Sequence, residues 1–350
     1  MELVTRVNIP SVVRVKPGAL DRLGLYLRRS GHSPAVLLSS QGLVPEYLER
    51  AERSLAEHGI ERLETVEVAE ASFEFASSLF TRLPGKAAAV VGLGGGKALD
   101  VAKYVAFLAR RPYYATPTSL SNDGFCSPQS SLTIAGRRRS LAAALPHAVV
   151  LDLDVCGQAP RPLWLSGIGD LVCKLTAIFD WKLAFRRQGL PVNDFAALLS
   201  DATVYQFLAQ PSFDREGARL LGTALMLNGV AMEICGSSRP ASGSEHLISH
   251  ALDGISKRPR LHGLQVGVAT YLVSLLQENQ SERIGRVLDE TGFWEAVRSD
   301  PFSLAEWRQA IRLAPAIKED FFTILSEPGA LDEAERLLTA DPRLRACFAD

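Results

Sequence analysis

Compact apolar runs alternate with amphipathic stretches along the first half of the chain. AVLLSS and KAAAVVGLG read as buried strands, RLETVEV as a further strand and PYYATPTS as one running into a loop, while VNIPSVVRVK predicts an edge strand or strand pair. Between them ALDRLGLYLRR, LVPEYLERAERSLAEH, SFEFASSLFTRL and KALDVAKYVAFLARR carry their apolar residues at helical spacing. SSLTIAGRRRSLAAALPHAVVLDLDV predicts a hairpin around Gly136 followed by a closing strand. Strands that alternate with helices imply a parallel sheet covered on both faces. From Pro162 onward the pattern is helical, broken at QGLPVND, QPSFD, SSRPASGS and SKRPRLHG. The change of pattern sets a boundary near Gln158 to Pro162. The expectation is an α/β, Rossmann-like domain over residues 1–158 and an all-α domain over residues 159–350.

Composition narrows the function. A chain of 350 residues with 47% hydrophobic residues can bury a large core in two domains. Its net charge of -1 argues against a nucleic acid or an anionic membrane as the main partner, because those surfaces select clustered Lys and Arg. A small-molecule substrate is expected instead. Apolar runs such as VGVATYLVSLL are too short or too Gly-interrupted for a membrane span, and MELVTRVNIP lacks the features of an export signal, so a cytoplasmic address is expected. Cys126, Cys156, Cys173, Cys235 and Cys347 show no Cys-x-x-Cys spacing and read as reduced packing residues.

Three constellations carry candidate chemistry. His246, His250 and His262 crowd the segment SGSEHLISHALDGISKRPRLHG, and Asp170 stands earlier in GIGDLVCKLTAIFDW. Brought together from separate helices, an Asp and two His can hold one divalent first-row ion and leave a position open for a substrate oxygen. HLISH lacks the Glu of a His-Glu-x-x-His protease. Partly buried packing histidines, and a helix N-cap at Asp170, are the structural alternatives.

The second constellation is AAAVVGLGGGKALDVAKYVA, a strand delivered through Gly92, Gly94, Gly95 and Gly96 into a helix. Such glycines let a pyrophosphate approach the backbone amides of a helix N-terminus. The motif departs from the usual dinucleotide pattern, since Lys97 stands where a third glycine would fall, and it also lacks a P-loop ending. The third is the polar loop ATPTSLSNDGFCSPQSSL, in which Thr116, Thr118, Ser119 and Ser121 could meet a cofactor and Asp123 a substrate hydroxyl, although ordinary surface loops share this composition. Arg137, Arg138 and Arg139 read as a solvated turn.

GLGGGKALDVAK, PTSLSNDGFCSP, GIGDLVCKLTAIFDWKLA, SGSEHLISHALD and LHGLQVGVAT, in this order, resemble the sn-glycerol-1-phosphate dehydrogenases, a branch of the iron-containing alcohol dehydrogenase and dehydroquinate synthase superfamily. The resemblance implies a metal held by Asp170, His246 and His262, with His250 as a proton relay beside the nicotinamide. At the position of a fourth, histidine ligand in the iron-dependent branch this chain has Lys174, which favours zinc over iron, with nickel a further candidate, and frees Lys174 to meet a substrate phosphate. It further implies NAD or NADP on Gly94, Gly95, Gly96, Lys97, Asp100, Thr116, Thr118, Ser119 and Ser39. The absence of an acidic residue at Ser39 and Ser40 leaves room for a 2′-phosphate. The implied reaction interconverts dihydroxyacetone phosphate and sn-glycerol 1-phosphate, with a place in phospholipid metabolism, and homo-oligomers are expected. Rival readings are a glycerol dehydrogenase acting on an unphosphorylated polyol, a dehydroquinate-synthase-like cyclase that uses NAD transiently, and a catalytically silent nucleotide-binding protein.

Overall fold

The computed structural model describes residues 8–349; the leading MELVTRV, read above for an export signal, lies outside the described residues. Six parallel strands form one sheet: β1 (Val12–Lys16), β2 (Ala35–Ser40), β3 (Arg62–Val68), β4 (Ala89–Gly94), β5 (Tyr113–Pro117) and, after a hairpin, β8 (Ala148–Asp152). Their order is β1-β8-β5-β4-β2-β3, so the strand read as an edge closes one side of the sheet. The hairpin strands β6 (Gln129–Ile134) and β7 (Arg137–Ala142) pair antiparallel around Ala135 and Gly136, both at positive φ. Arg137, Arg138 and Arg139 lie exposed on β7.

Alternation along the strands builds a core on each face of the sheet. Leu37 and Val91 join Leu23, Leu27 and Leu55 on one side, and Val36, Leu38 and Val90 join Val101, Val105 and Leu79 on the other. Period-2 side chains on a strand covered by helices on both sides require this apolar continuity.

The chain divides into two compact units, and the division is not a single cut. One unit runs to Ala159 and also takes up Phe213–Ile234; the other holds Pro160–Ser212 and Cys235 onward. The helix Arg215–Cys235, which sequence pattern groups with the helical half, lies almost wholly in the first unit. Its glycines explain the fit: a Cβ at Gly229 would stand 1.8 Å from the Cys126 carbonyl oxygen, and one at Gly222 2.5 Å from Leu151.

The second unit is helical apart from a two-residue parallel pairing of β9 (Phe302–Ser303) with β10 (Phe348–Ala349), which is too short to leave a sequence pattern. Two stretches, Arg161–Gln188 and Arg215–Cys235, are long and apolar enough to cross a membrane by length and composition. This differs from the expectation drawn from uninterrupted apolar runs, because mean hydropathy tolerates scattered polar residues. With 83% and 67% of their apolar windows buried within the protein, both are core helices here.

Candidate active site

Three helices of the second unit converge on one point. Asp170 lies near the end of Arg161–Val172, His246 in the first turn of Ser244–Ile255, and His262 opens His262–Leu276. Glycines permit the convergence: a Cβ at Gly169 would stand 1.9 Å from the Gly263 carbonyl oxygen, and one at Gly263 would stand 1.7 Å from that of Ser166. The Ser166 hydroxyl also accepts the Gly263 N–H at 3.1 Å. Only glycine lets the two backbones cross this closely, and the crossing brings His262 to Asp170.

His246 Nε2 stands 3.4 Å and His262 Nε2 4.0 Å from Asp170 Oδ1, and the three candidate ligand atoms lie within 4.8 Å of one another. Each imidazole is held by its other nitrogen. Glu245 Oε1 lies 3.1 Å from His246 Nδ1, and Ser249 Oγ lies 3.1 Å from His262 Nδ1 while donating to Gln265 Oε1 at 2.9 Å. Partners of this kind orient metal-binding histidines. The donor set therefore suits a divalent ion with an open coordination position.

A second cluster, Cys173, Glu245 and His246, is also compact, but its members are otherwise engaged. The Cys173 thiol donates to the Asp170 carbonyl at 3.0 Å and burial raises its pKa, while Glu245 accepts from Gly243 N–H at 2.6 Å and Thr176 Oγ1 at 2.9 Å.

Electrostatics agree with the first set. Burial alone would raise the pKa of Asp170, which is 1% exposed, yet the Lys174 ammonium and the two histidines hold it below the usual carboxylate range. Burial opposes protonation of His246, but contacts with Cys173, Asp170 and Glu245 raise its proton affinity well above the ordinary value. Surroundings that favour positive charge on an imidazole also favour a divalent cation, which must displace that proton to bind.

Lys174 is 0% exposed, with Nζ 3.4 Å from Asp170 Oδ1 and 3.2 Å from the Ala241 carbonyl. Its ammonium thus supports the carboxylate from within the core. His250 sits one turn beyond His246, its ring centroid 5.9 Å from that of His262 and 6.1 Å from that of His246.

The glycine motif belongs to the first unit, where the loops after β2, β4 and β5 meet at the carboxyl end of the sheet. Gly94 holds φ at +139°, and a Cβ there would stand 2.1 Å from Ser40 Oγ. That hydroxyl accepts the Gly95 N–H at 2.9 Å, and the Gly94 carbonyl accepts Thr118 N–H at 3.0 Å. Ser40 thus reaches the turn, whereas Ser39 is buried in β2. A Cβ at Gly95 would meet nothing within 4 Å, and at Gly96 only Asn122 at 4.0 Å, so the N-terminus of the helix Gly96–Ala109 opens onto free space, with Lys97 exposed beside it. Thr116 is buried in β5, its hydroxyl without a partner, and Ser119 is buried beyond it, while Thr118 is half-buried.

Asp100 faces Lys103, at 3.3 Å, rather than the turn. Sequence reasoning missed Lys103. Only 1% exposed, it donates to the carbonyls of Gly124 at 2.6 Å and Gln129 at 2.5 Å, tying the loop that bears Asp123 to the glycine-turn helix. Glu245, Ser249 and Gln265 were missed as well; the one available signal was a Glu adjoining a candidate ligand.

Residues 14–160 match the family model described as iron-containing alcohol dehydrogenase. The glycerol-1-phosphate dehydrogenase (NAD(P)+) of Aeropyrum pernix is 36% identical over 95% of this chain and 96% of its own length. That of Hyperthermus butylicus is 36% identical over 96% of this chain and 98% of its own length. The crystal structure of glycerol dehydrogenase from Schizosaccharomyces pombe superposes with a TM-score of 0.75 at 20% identity, covering 96% of this chain and 90% of that one.

Proposed function

The chain belongs to the glycerol-1-phosphate dehydrogenase family of NAD(P)-dependent oxidoreductases, and on that premise we propose that it interconverts dihydroxyacetone phosphate and sn-glycerol 1-phosphate in a metal-dependent reaction. The observation that carries the metal dependence is the convergence of Asp170, His246 and His262, each imidazole already oriented through its second nitrogen. A divalent ion held there, zinc by donor set with nickel or iron as alternatives, supplies Lewis-acid polarisation of a carbonyl oxygen. A reduced nicotinamide supplies the hydride.

The chain's own residues do the rest. The open amides at Gly95 and Gly96, with Lys97 beside them, receive the cofactor's pyrophosphate, and the Ser40 hydroxyl fixes the turn that presents them. Thr118 and Ser119 would border the nicotinamide. No acidic residue ends β2, so a 2′-phosphate meets no repulsion there and both NAD and NADP are accepted. Asp123 accepts a hydrogen bond from a substrate hydroxyl. His250, stacked near His262, delivers the proton that completes the alcohol. Lys174 keeps Asp170 ionised.

Chiral analysis of the product formed from dihydroxyacetone phosphate by metal-reconstituted enzyme, with each reduced nicotinamide in turn, tests the proposal. sn-Glycerol 1-phosphate formed stoichiometrically with cofactor oxidation is expected. Turnover of unphosphorylated dihydroxyacetone alone would favour a polyol dehydrogenase, and phosphate release without net cofactor oxidation would favour a cyclase.

A further inference from the structure

We propose that Arg239 and Lys318 form an anion subsite that takes the substrate phosphate, an assignment that rests on the function proposed above. Arg239 is 4% exposed, and its guanidinium lies 3.6 Å from the centre of the Phe321 ring. Nη1 donates to the Phe322 carbonyl at 2.6 Å, while Nη2 is buried without any hydrogen-bond partner. The Lys318 ammonium lies 4.0 Å from the same ring centre and donates to Ser238 Oγ at 3.0 Å. Sharing one ring, 3.6 Å and 4.0 Å from its centre, the two cationic centres are no more than about 7.6 Å apart. Lys318 is exposed and gives the pair an opening to solvent.

Neither cation has an ion-pair partner among the described residues. The carboxylate that acts on Arg239 is Asp180, and it is taken up by the N–H groups of Ser244 and Ile324, each at 2.8 Å, and by the Gln277 amide at 3.0 Å. Both cations hold their protons less firmly than usual: burial lowers Arg239 to about 10, and for Lys318, whose side chain is exposed overall, desolvation of the ammonium against the Phe321 ring together with the Arg239 charge lowers it to about 8. Two adjacent cations, one of them buried, repel each other unless an anion joins them. A guanidinium with an unspent N–H and a nearby ammonium match the oxygens of a phosphate.

The position suits the substrate. Arg239 lies in the loop whose Ala241 carbonyl accepts from Lys174, the residue that faces Asp170, and this loop leads directly into the helix bearing His246. In dihydroxyacetone phosphate one methylene and one ester oxygen separate carbonyl from phosphate, so the phosphate subsite must adjoin the metal ligands. Lys174, the residue that sequence suggested for this task, has no exposed surface to offer.

The experiment compares wild type, Lys318→Gln and Arg239→Lys in two assays: calorimetric titration with inorganic phosphate, and kcat/KM for dihydroxyacetone phosphate relative to dihydroxyacetone. Phosphate affinity and the kcat/KM ratio are expected to fall about 10-fold in Lys318→Gln and about 100-fold in Arg239→Lys, which keeps the charge but loses the planar fork. Lys318 is exposed, so its variant tests the subsite even if Arg239→Lys fails to fold. Phosphate affinity and ratio both unchanged in Lys318→Gln would overturn the subsite while leaving the proposed reaction standing. Weakened phosphate binding in an enzyme that never reduces dihydroxyacetone phosphate would keep the subsite and overturn the reaction.

Discussion

Replacing Gly169 by alanine should separate metal binding from folding. The new methyl would stand 1.9 Å from the Gly263 carbonyl oxygen, and ordinary contact begins at 3.4 Å, so the two helices must part by about 1.5 Å. The obstacle is backbone on both sides and cannot rotate away. Overpacking of this kind destabilises by roughly 1–3 kcal/mol, which a domain of this size survives. The site is more sensitive. Asp170 is the next residue and His262 immediately precedes Gly263, so the shift falls directly on a ligand pair now 4.0 Å apart. A displacement near 1 Å at a reacting centre can lower a rate about 100-fold, and a comparable loss of metal affinity is expected. Chelator competition would measure the affinity, with circular dichroism confirming the fold. Gly254→Ala, on the helix that bears His246 and with nothing within 4 Å of its added methyl, serves as the control and should be neutral or stabilised by up to about 1 kcal/mol. A Gly169→Ala protein with wild-type metal affinity and activity would refute the claim that this crossing sets the ligand geometry.

Two other outcomes follow from the buried carboxylates. Glu245→Gln should weaken metal binding roughly 10- to 100-fold by loosening the imidazole of His246; unchanged affinity in the same competition assay would show that the contact at Nδ1 does not orient the ligand. Burial, then the neighbouring Glu245 charge, raises the pKa of Asp180 from 3.8 to about 7. Its folded pKa exceeds its unfolded one, so its contribution to stability is greatest below pH 4, declines as pH rises toward 7 and is flat beyond. Asp180→Asn should remove that slope from a plot of Tm against pH, at a lower absolute Tm because one amide cannot serve all the N–H groups the carboxylate accepts. An identical slope in the variant would rule the assignment out.

Much of this architecture was legible from periodicity because strands covered on both faces must be largely apolar, as β4 and the first four residues of β2 are, and their runs stand out. The candidate metal triad was legible as residue types, since Asp170, His246 and His262 carry donors suited to a divalent ion. The supports of the triad were hidden for a physical reason. Ser249 and Gln265 act through hydrogen bonds between helices that are adjacent only after folding, and such residues carry no spacing of their own. Lys174 shows the converse difficulty: a lysine in sequence suggests a solvated charge, and only the packed helices turn it inward onto Asp170. Likewise nothing in its sequence context marks Lys103, whose role rests on carbonyl partners from the 123–129 loop that only folding brings to it.

The helix Arg215–Cys235 has a consequence for how the protein can be made. Because it seats its glycines on Cys126 and Leu151, the unit that holds the parallel sheet is unfinished when Ala159 leaves the ribosome and stays so until some seventy-five further residues have been synthesised. A gene fragment ended at the visible boundary would yield a sheet with an uncovered apolar flank, so the two halves must be inherited, expressed and engineered as one piece.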